Sequence, residues 1–252
     1  MRLDQWLVKN RIAPSRTKAQ ELIRTGAVEV FRHQEWQVVQ QPSFGCSPSE
    51  QVRLVSPELL KYVSRGGLKM EGAIRRLGLE ARGLDVLDIG ISTGGFSDCL
   101  LQRGCASVVG VDVGRDQIHP RVAEDARVRV FEGLHIKEAW DNREFGNLAQ
   151  LGFDLIVVDV SFISLTHVIP LLLALLRPNG RVLALVKPQF EVGKTNLSKA
   201  GLVKDIGLYQ DVQVKIQACA SESSLKVLDY FPSEVAGADG NQEFLIFLAR
   251  ST

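Results

Sequence analysis

Cysteine is scarce in this chain, and long apolar runs are absent. The 252 residues hold four cysteines, Cys46, Cys99, Cys105 and Cys219. None forms a CxxC pair and none clusters with histidine, which argues against a zinc site and against a disulfide framework. No metal ligand is expected, and reduced thiols in a cytoplasm fit best. The longest apolar stretch, Val168 to Leu176, contains Pro170 and falls far short of the ~20 residues that span a bilayer. The opening Met1-Arg2-Leu3-Asp4-Gln5 has no apolar signal core. A membrane partner is therefore not expected. There is no internal repeat and no low-complexity tract, and nothing in the sequence bears on oligomeric state.

What is present is an ordinary globular composition, 45% hydrophobic and 23% charged. The length suits one medium domain plus a small one. The net charge of +1 hides an asymmetry. Residues 1–76 carry 13 Lys+Arg against 7 Asp+Glu, whereas the remainder carries 17 against 22. A basic front end on a nearly neutral chain points to a polyanionic partner.

Residues 1–58 are expected to form a small α+β module. Leu3, Trp6, Leu7 and Val8 have helical spacing. Pro14-Ser15 breaks the chain, and Ser15 is a good N-cap for a second helix. That helix turns Ala19, Leu22 and Ile23 inward and lines Arg16, Gln20 and Arg24 along another face. Gly26 stops it. Short strands follow around 28–30, 37–39 and 51–55. Residues 59–82 read as a linker with a flexible Ser64-Arg65-Gly66-Gly67 stretch, then a helix from Leu68 through Ala73, Ile74 and Leu77.

From residue 83 to 252 strands alternate with helices. Candidate strands are 84–89, 107–111, 128–131, 154–158, 181–186, 226–230 and 243–248. Their near-continuous apolar character indicates a mostly parallel sheet buried on both faces, hence an α/β fold. The last two strands are joined by a loop too short for a helical crossover, so they should close the sheet as an antiparallel hairpin. A Rossmann-like methyltransferase sheet ends in this way, and a nicotinamide-dinucleotide domain does not.

Ligands of such sheets bind beyond the carboxyl ends of the strands. The first of those loops is Asp88-Ile89-Gly90-Ile91-Ser92-Thr93-Gly94-Gly95-Phe96, whose glycines let backbone approach a ligand closely. Its spacing is not that of the dinucleotide fingerprint, and it suits S-adenosyl-L-methionine (AdoMet). Asp112 ends the second strand, where a carboxylate can take both ribose hydroxyls. After the third strand comes Glu132-Gly133-Leu134-His135, so His135 is either an adenine contact or a surface histidine.

Asp159 and Lys187 each end a buried apolar strand, the placement expected of functional ionisable groups. Lys69 and Glu243 stand at matching places, completing a Lys-Asp-Lys-Glu tetrad. Such a set beside an AdoMet loop suits methylation of a ribose 2′-hydroxyl, an in-line displacement that gains most from alignment of oxygen, methyl and sulfur. Lys187 is the candidate base or orienting group. Lys69 and a sulfonium would lower its pKa, while Asp159 acts the other way and holds it. Glu243 orients Lys69 or the ribose. Base-nitrogen methylation uses an Asn/Asp-Pro-Pro-aromatic loop where this chain has Asp159-Val160-Ser161-Phe162. Carbon-5 methylation of cytosine needs a cysteine in that region, and none is there.

The front module resembles the S-four-like RNA-binding domain through Arg2-Leu3-Asp4, Ser15-Arg16, Lys18-Ala19, Leu22-Ile23 and Gly26-Ala27-Val28. That resemblance implies RNA contacts at Arg2, Lys9, Arg11, Arg16, Lys18 and Arg24, with Arg65 in the segment that follows. The family's Asn-Gly turn is replaced here by Phe31-Arg32-His33-Gln34. The whole chain resembles the TlyA, or hemolysin A-like, family. The most specific matches are 62–69, 92–101, Asp112-Val113-Gly114, 159–164 and Lys187-Pro188-Gln189-Phe190-Glu191. Its catalytic part is similar to FtsJ-type ribose methyltransferases. The resemblance implies AdoMet-dependent 2′-O-methylation of cytidine in ribosomal RNA, with RNA or ribosomal subunits as partners. It carries the cofactor assignment onto Asp88, Gly90, Ser92, Thr93, Gly94, Gly95, Phe96, Asp112, His135 and Asp159. His135 replaces the family's usual Asn, and 115–120 departs from its aromatic version. A non-catalytic RNA-binding factor and a membrane-lytic protein are the competing classes.

Overall fold

The computed structural model describes residues 1–237 and 239–251; Ala238 and Thr252, inside the expected catalytic segment, lie outside the described residues. Contacts divide the chain into two units, Met1–Ser64 and Arg65–Thr252.

In the first unit, α1 (Leu3–Lys9) and α2 (Arg16–Arg24) precede β1 (Val28–Arg32), β2 (Glu35–Val38) and β3 (Val52–Leu54). Ser15 accepts a hydrogen bond from the Lys18 amide and caps α2 as its position predicts. Leu3, Trp6 and Leu7 meet Ala19, Leu22, Ile23, Val28 and Val30 in one core. Each large apolar side chain buried there contributes about 1.5–3 kcal/mol. The sheet order is β2-β1-β3, all antiparallel. Register pairs Arg32 with Glu35, so β1 and β2 are joined by His33-Gln34 alone. Their φ values are +52° and +67°. That is the type I′ geometry usually given to Asn-Gly, adopted here by two residues with side chains. The strand therefore starts earlier than its 37–39 apolar signature.

In the second unit, α3 spans Gly66–Leu77. The expected flexible stretch at 64–67 is corrected: Gly66 and Gly67 already form the first turn of that helix, and Gly67 is buried. Tertiary packing overrides the low helix propensity of glycine. Then come β4 (Asp85–Ile89), α4 (Gly95–Gln102), β5 (Ser107–Asp112), α5 (Pro120–Ala123), β6 (Val128–Glu132), α6 (Arg143–Leu151), β7 (Phe153–Val158), α7 (Ile169–Leu175), β8 (Leu176–Val186), α8 (Leu208–Glu222), β9 (Leu225–Pro232) and β10 (Phe244–Arg250). They form one seven-stranded sheet in the order β6-β5-β4-β7-β8-β10-β9. The first five strands in that order run parallel, and β10 lies antiparallel to both β8 and β9. The closing hairpin inserts its last strand inside the edge strand, the Rossmann-like methyltransferase order. Val86, Leu87, Leu155, Ile156, Val182 and Leu183 are fully shielded, as a sheet covered on both faces requires. Arg177 bridges Asp85 at 2.9 Å and Asp154 at 2.6 Å, tying the starts of β4 and β7 together.

Candidate active site

The strand order reverses between β4 and β7, and the crevice of an open α/β sheet opens at that point. Gly90 follows β4 and has φ +84°. A Cβ there would stand 2.5 Å from the Asp159 carbonyl oxygen, so only glycine lets the end of β7 close on the end of β4. Ser92, also at positive φ (+46°), turns its amide back to Asp112 Oδ2 at 2.8 Å. The Gly114 amide donates to Asp112 Oδ1 at 2.7 Å. Both carboxylate oxygens are thereby fixed in direction, and each keeps a lone pair free for another donor. The Ser92 hydroxyl donates to Gln117 Oε1 at 3.0 Å.

These groups edge a cavity of about 450 Å³, within the size range of small-molecule sites. Gly90, Ser92, Asp112, His135 and Asp159 line it, with Val113, Leu134, Ile136 and Phe162 as apolar wall. The other expected cofactor residues, Asp88, Thr93, Gly94, Gly95 and Phe96, stand outside that lining. Asp88 is buried under the loop and accepts from the Ser97 hydroxyl at 2.6 Å. Burial pushes its carboxyl up to about 7, with the Asp159 charge adding to the rise and the Ser97 bonds opposing it. Gly94 starts α4 at φ +88°, with a Cβ site only 2.9 Å from Val122 Cγ1. The turn thus contains cavity-facing residues and residues that hold the turn, a division that spacing alone does not reveal. His135 Nδ1 accepts from the Lys137 amide at 3.1 Å, which leaves Nε2 as the donor of a neutral ring.

Asp159 and Lys187 directly follow β7 and β8. Lys187 Nζ lies 2.6 Å from Asp159 Oδ1 and donates to the Ser161 hydroxyl at 2.8 Å. The register pair Val186–Phe244 puts Glu243 across from Lys187, one residue further on. Glu243 is 3% exposed and forms an ion pair with Lys69 of α3, itself 8% exposed. The four expected residues are therefore two lysine–carboxylate pairs, Asp159, Lys187 and Glu243 standing at the ends of the adjacent strands β7, β8 and β10 and Lys69 reaching Glu243 from α3. Burying charge at that level is tolerated only with a partner.

Three further contributors lie within the matched segments 159–164 and 187–191 but are not among the expected site residues. Ser161 is a partner of Lys187 and sits two residues after Asp159, a signal that could have found it. Phe162 has φ +65°, is 91% exposed, and lies against Phe190 with centroids 5.2 Å apart. Glu191 takes the Ser164 hydroxyl at 2.6 Å, the Leu165 amide at 2.8 Å and Lys215 at 2.7 Å, so it braces the loop beyond Asp159.

In the first unit Lys9, Arg11, Arg16 and Arg24 are exposed and Arg2 is half-buried. Lys18 is not presented to solvent: it is buried and paired with Glu21 at 3.1 Å. Arg65 is half-buried at the start of α3. Among the described residues no helix is long and apolar enough to cross a membrane.

Residues 62–250 match the FtsJ-like methyltransferase family and residues 1–52 match the S4 domain. The chain is 34% identical over 251 residues to the Mycobacterium tuberculosis protein named 16S/23S rRNA (cytidine-2'-O)-methyltransferase TlyA, covering 100% of this chain and 90% of that one. It is 34% identical to Hemolysin A of Brachyspira hyodysenteriae, covering 97% and 98%. A solved Streptococcus thermophilus protein named as a hemolysin superposes with a TM-score of 0.74 at 33% identity, covering 100% and 88%. Sheet order, cavity and these likenesses agree: the chain belongs to the FtsJ-like methyltransferase family, in the group that includes TlyA and hemolysin A.

Proposed function

We propose that this enzyme methylates the 2′-hydroxyl of a cytidine in ribosomal RNA, using AdoMet. The observation that carries the reading is the pair of lysine–carboxylate contacts at the strand ends, beside a cavity whose floor presents Asp112. The residues fit the cofactor. Asp112, held by two amides, matches a ribose diol; Val113, Leu134 and Ile136 match an adenine face; His135 Nε2 matches a ring-nitrogen acceptor. AdoMet supplies an electrophilic methyl group on a sulfonium.

The remaining work falls to the chain's own groups. Lys187, held between Asp159 and Ser161, faces the hydroxyl, orienting its oxygen when charged and taking its proton when neutral. Asp159 fixes that amine and stabilises the ammonium. Lys69, locked by Glu243, adds a second positive group at the edge where an alkoxide develops. Phe162 offers an exposed ring on which a nucleobase can stack. Residues 1–58 act as the RNA-gripping module, through Arg2, Lys9, Arg11, Arg16 and Arg24; residues 59–82 supply a linker and the first helix of the catalytic part, with Lys69; residues 83–252 carry the rest of the chemistry, and Arg65 adds a phosphate contact.

Transfer of labelled methyl from AdoMet to unmodified ribosomal subunits, with Lys187→Ala alongside and mapping of the modified position, tests this. Lysine-dependent 2′-O-methylcytidine supports it. AdoMet binding without incorporation into either subunit or naked RNA refutes the acceptor, and equal activity of the variant refutes the role of Lys187. The hemolysin name belongs to the relatives that carry it; release of dye from liposomes by the purified protein would favour that reading instead.

A further inference from the structure

Asp4 is a carboxylate with 0% exposure in a module expected to bind a polyanion. It accepts five hydrogen bonds: from Arg2 Nε at 3.0 Å and Nη2 at 3.1 Å, from Arg16 Nε at 3.0 Å, from Gln20 Nε2 at 2.8 Å and from the Gln5 amide at 3.0 Å. Gln20 in turn accepts from Arg24 Nη2 at 3.5 Å. One buried acid thus gathers Arg2, Arg16 and, through Gln20, Arg24. The helical face formed by Arg16, Gln20 and Arg24 alternates a glutamine between two arginines, and the hub explains that glutamine. The Asp4 bonds use Nε and Nη2 of Arg2 but only Nε of Arg16, and the side chains of Arg2 and Arg16 remain 42% and 54% exposed. Each guanidinium therefore keeps N–H groups that Asp4 does not take, and a planar guanidinium fork is the geometry that matches a phosphate.

We propose that Asp4 is a positioning residue for RNA binding: it pre-organises the Arg2, Arg16 and Arg24 guanidiniums into one rigid phosphate-binding surface. The inference rests on the RNA reading above. A long, charged side chain loses rotamer freedom when it binds, and holding it beforehand removes that cost. A negative charge beneath a phosphate site also repels the ligand. Positioning and bare electrostatics therefore make opposite predictions for its removal.

The test is binding of the full-length protein to unmodified ribosomal subunits across a salt series, for Asp4→Asn, for Gln20→Ala, and for Asp4→Asn in an Arg2→Ala/Arg16→Ala background. Asp4→Asn raises the net charge by one, yet it should weaken binding about tenfold and flatten the salt dependence by about one contact. Gln20→Ala, which leaves Asp4 and its two arginines in place, should lose about threefold and keeps the test open if Asp4→Asn does not fold. In the double-alanine background Asp4→Asn should cost no more than the threefold loss of Gln20→Ala, because only the link through Gln20 to Arg24 remains. Equal or tighter binding by Asp4→Asn, or an equal loss in both backgrounds, overturns the positioning role while leaving the RNA reading intact. A wild-type protein without salt-dependent binding overturns the RNA reading and this role together.

Discussion

The Asp4 hub of the first unit and the tetrad of the second both set carboxylates against cations, but they leave the cations in different places. In the first unit Asp4 is buried while Arg2 and Arg16 reach solvent. In the second, Lys69 is buried together with Glu243, and Lys187 is 12% exposed beside Asp159. A guanidinium keeps further N–H groups after it has paired, so on the proposed reading its carboxylate is a mount for a surface that meets a diffuse polyanion. An ammonium enclosed with its partner cannot serve that purpose. On the proposed reading its value is a fixed position beside one reacting atom, in a place where water is thin and charge is felt strongly. Exposed charge is screened by salt, and enclosed charge much less so. Ionic strength should therefore govern the first unit and leave the second largely untouched.

The sharpest way to break this contrast is Lys69→Met. It strands Glu243 in the interior and should cost about 3–5 kcal/mol of stability as well as activity. Chemical denaturation checks it. Lys69→Met with Glu243→Leu should recover the stability but not the methyl transfer, and recovery of both would make the pair a mere packing device. Next in size, Asp112→Ala should weaken AdoMet binding by about 10–100-fold in calorimetry, since a charged hydrogen-bonding group is worth about 1.5–3 kcal/mol. Binding to ribosomal subunits should persist. Arg16→Ala with Arg24→Ala should do the reverse, lowering RNA affinity and reducing the salt slope by about two contacts while AdoMet affinity holds. Parallel loss of both affinities in either variant would dissolve the division between the units.

A pH series sharpens the comparison within the second unit. Asp88 is raised to about 7 in the folded chain by burial, against an ordinary value of 3.8. The native state therefore binds the proton more tightly than the unfolded one. The stability this contributes is present below the unfolded value and is lost as pH climbs through about 7, with a slope of at most about 1.4 kcal/mol per pH unit. Asp88→Asn should flatten the denaturation-versus-pH curve over that window; an unchanged curve would remove Asp88 as its source. The smallest effect is expected at the first unit's hairpin. His33→Asn with Gln34→Gly should stabilise it by about 1 kcal/mol, because both positions hold left-handed φ. A melting temperature that falls instead would mean the native side chains contribute more there than the strain costs.

Much of the fold and of the site is legible in the amino-acid sequence. The apolar strands 84–89, 154–158 and 181–186 announce a buried parallel sheet because only strands covered on both faces are continuously apolar. Ser15 marks the start of α2 because its hydroxyl answers an orphan amide. Lys187 and Asp159 stand out because an ionisable group at the end of an apolar strand needs a reason to be there. Less legible is anything decided by partners distant in sequence. Lys18 sits in the basic run but is enclosed with Glu21. Gly66-Gly67 has the composition of a hinge and forms the first turn of a helix. Asp88 lies inside the ligand loop and faces Ser97 rather than the cavity. Ser161 and Phe162 carry no periodic or charge signal at all.

By itself, then, the chain's pattern of apolar and ionisable residues determined the α/β class and the basic front module and put Asp159 and Lys187 directly after apolar strands, since each follows from local periodicity or from a residue's place along a strand. Only the tertiary structure decided who pairs with whom. The β10 insertion between β8 and β9 carries Glu243 across from Lys187 and, 174 residues away in sequence, to Lys69. Helix packing in the first unit brings Arg16 and Gln20 onto Asp4. Pairing of this kind is set by sheet order and helix docking, which sum many weak contacts over the whole chain and leave no mark at the positions they join.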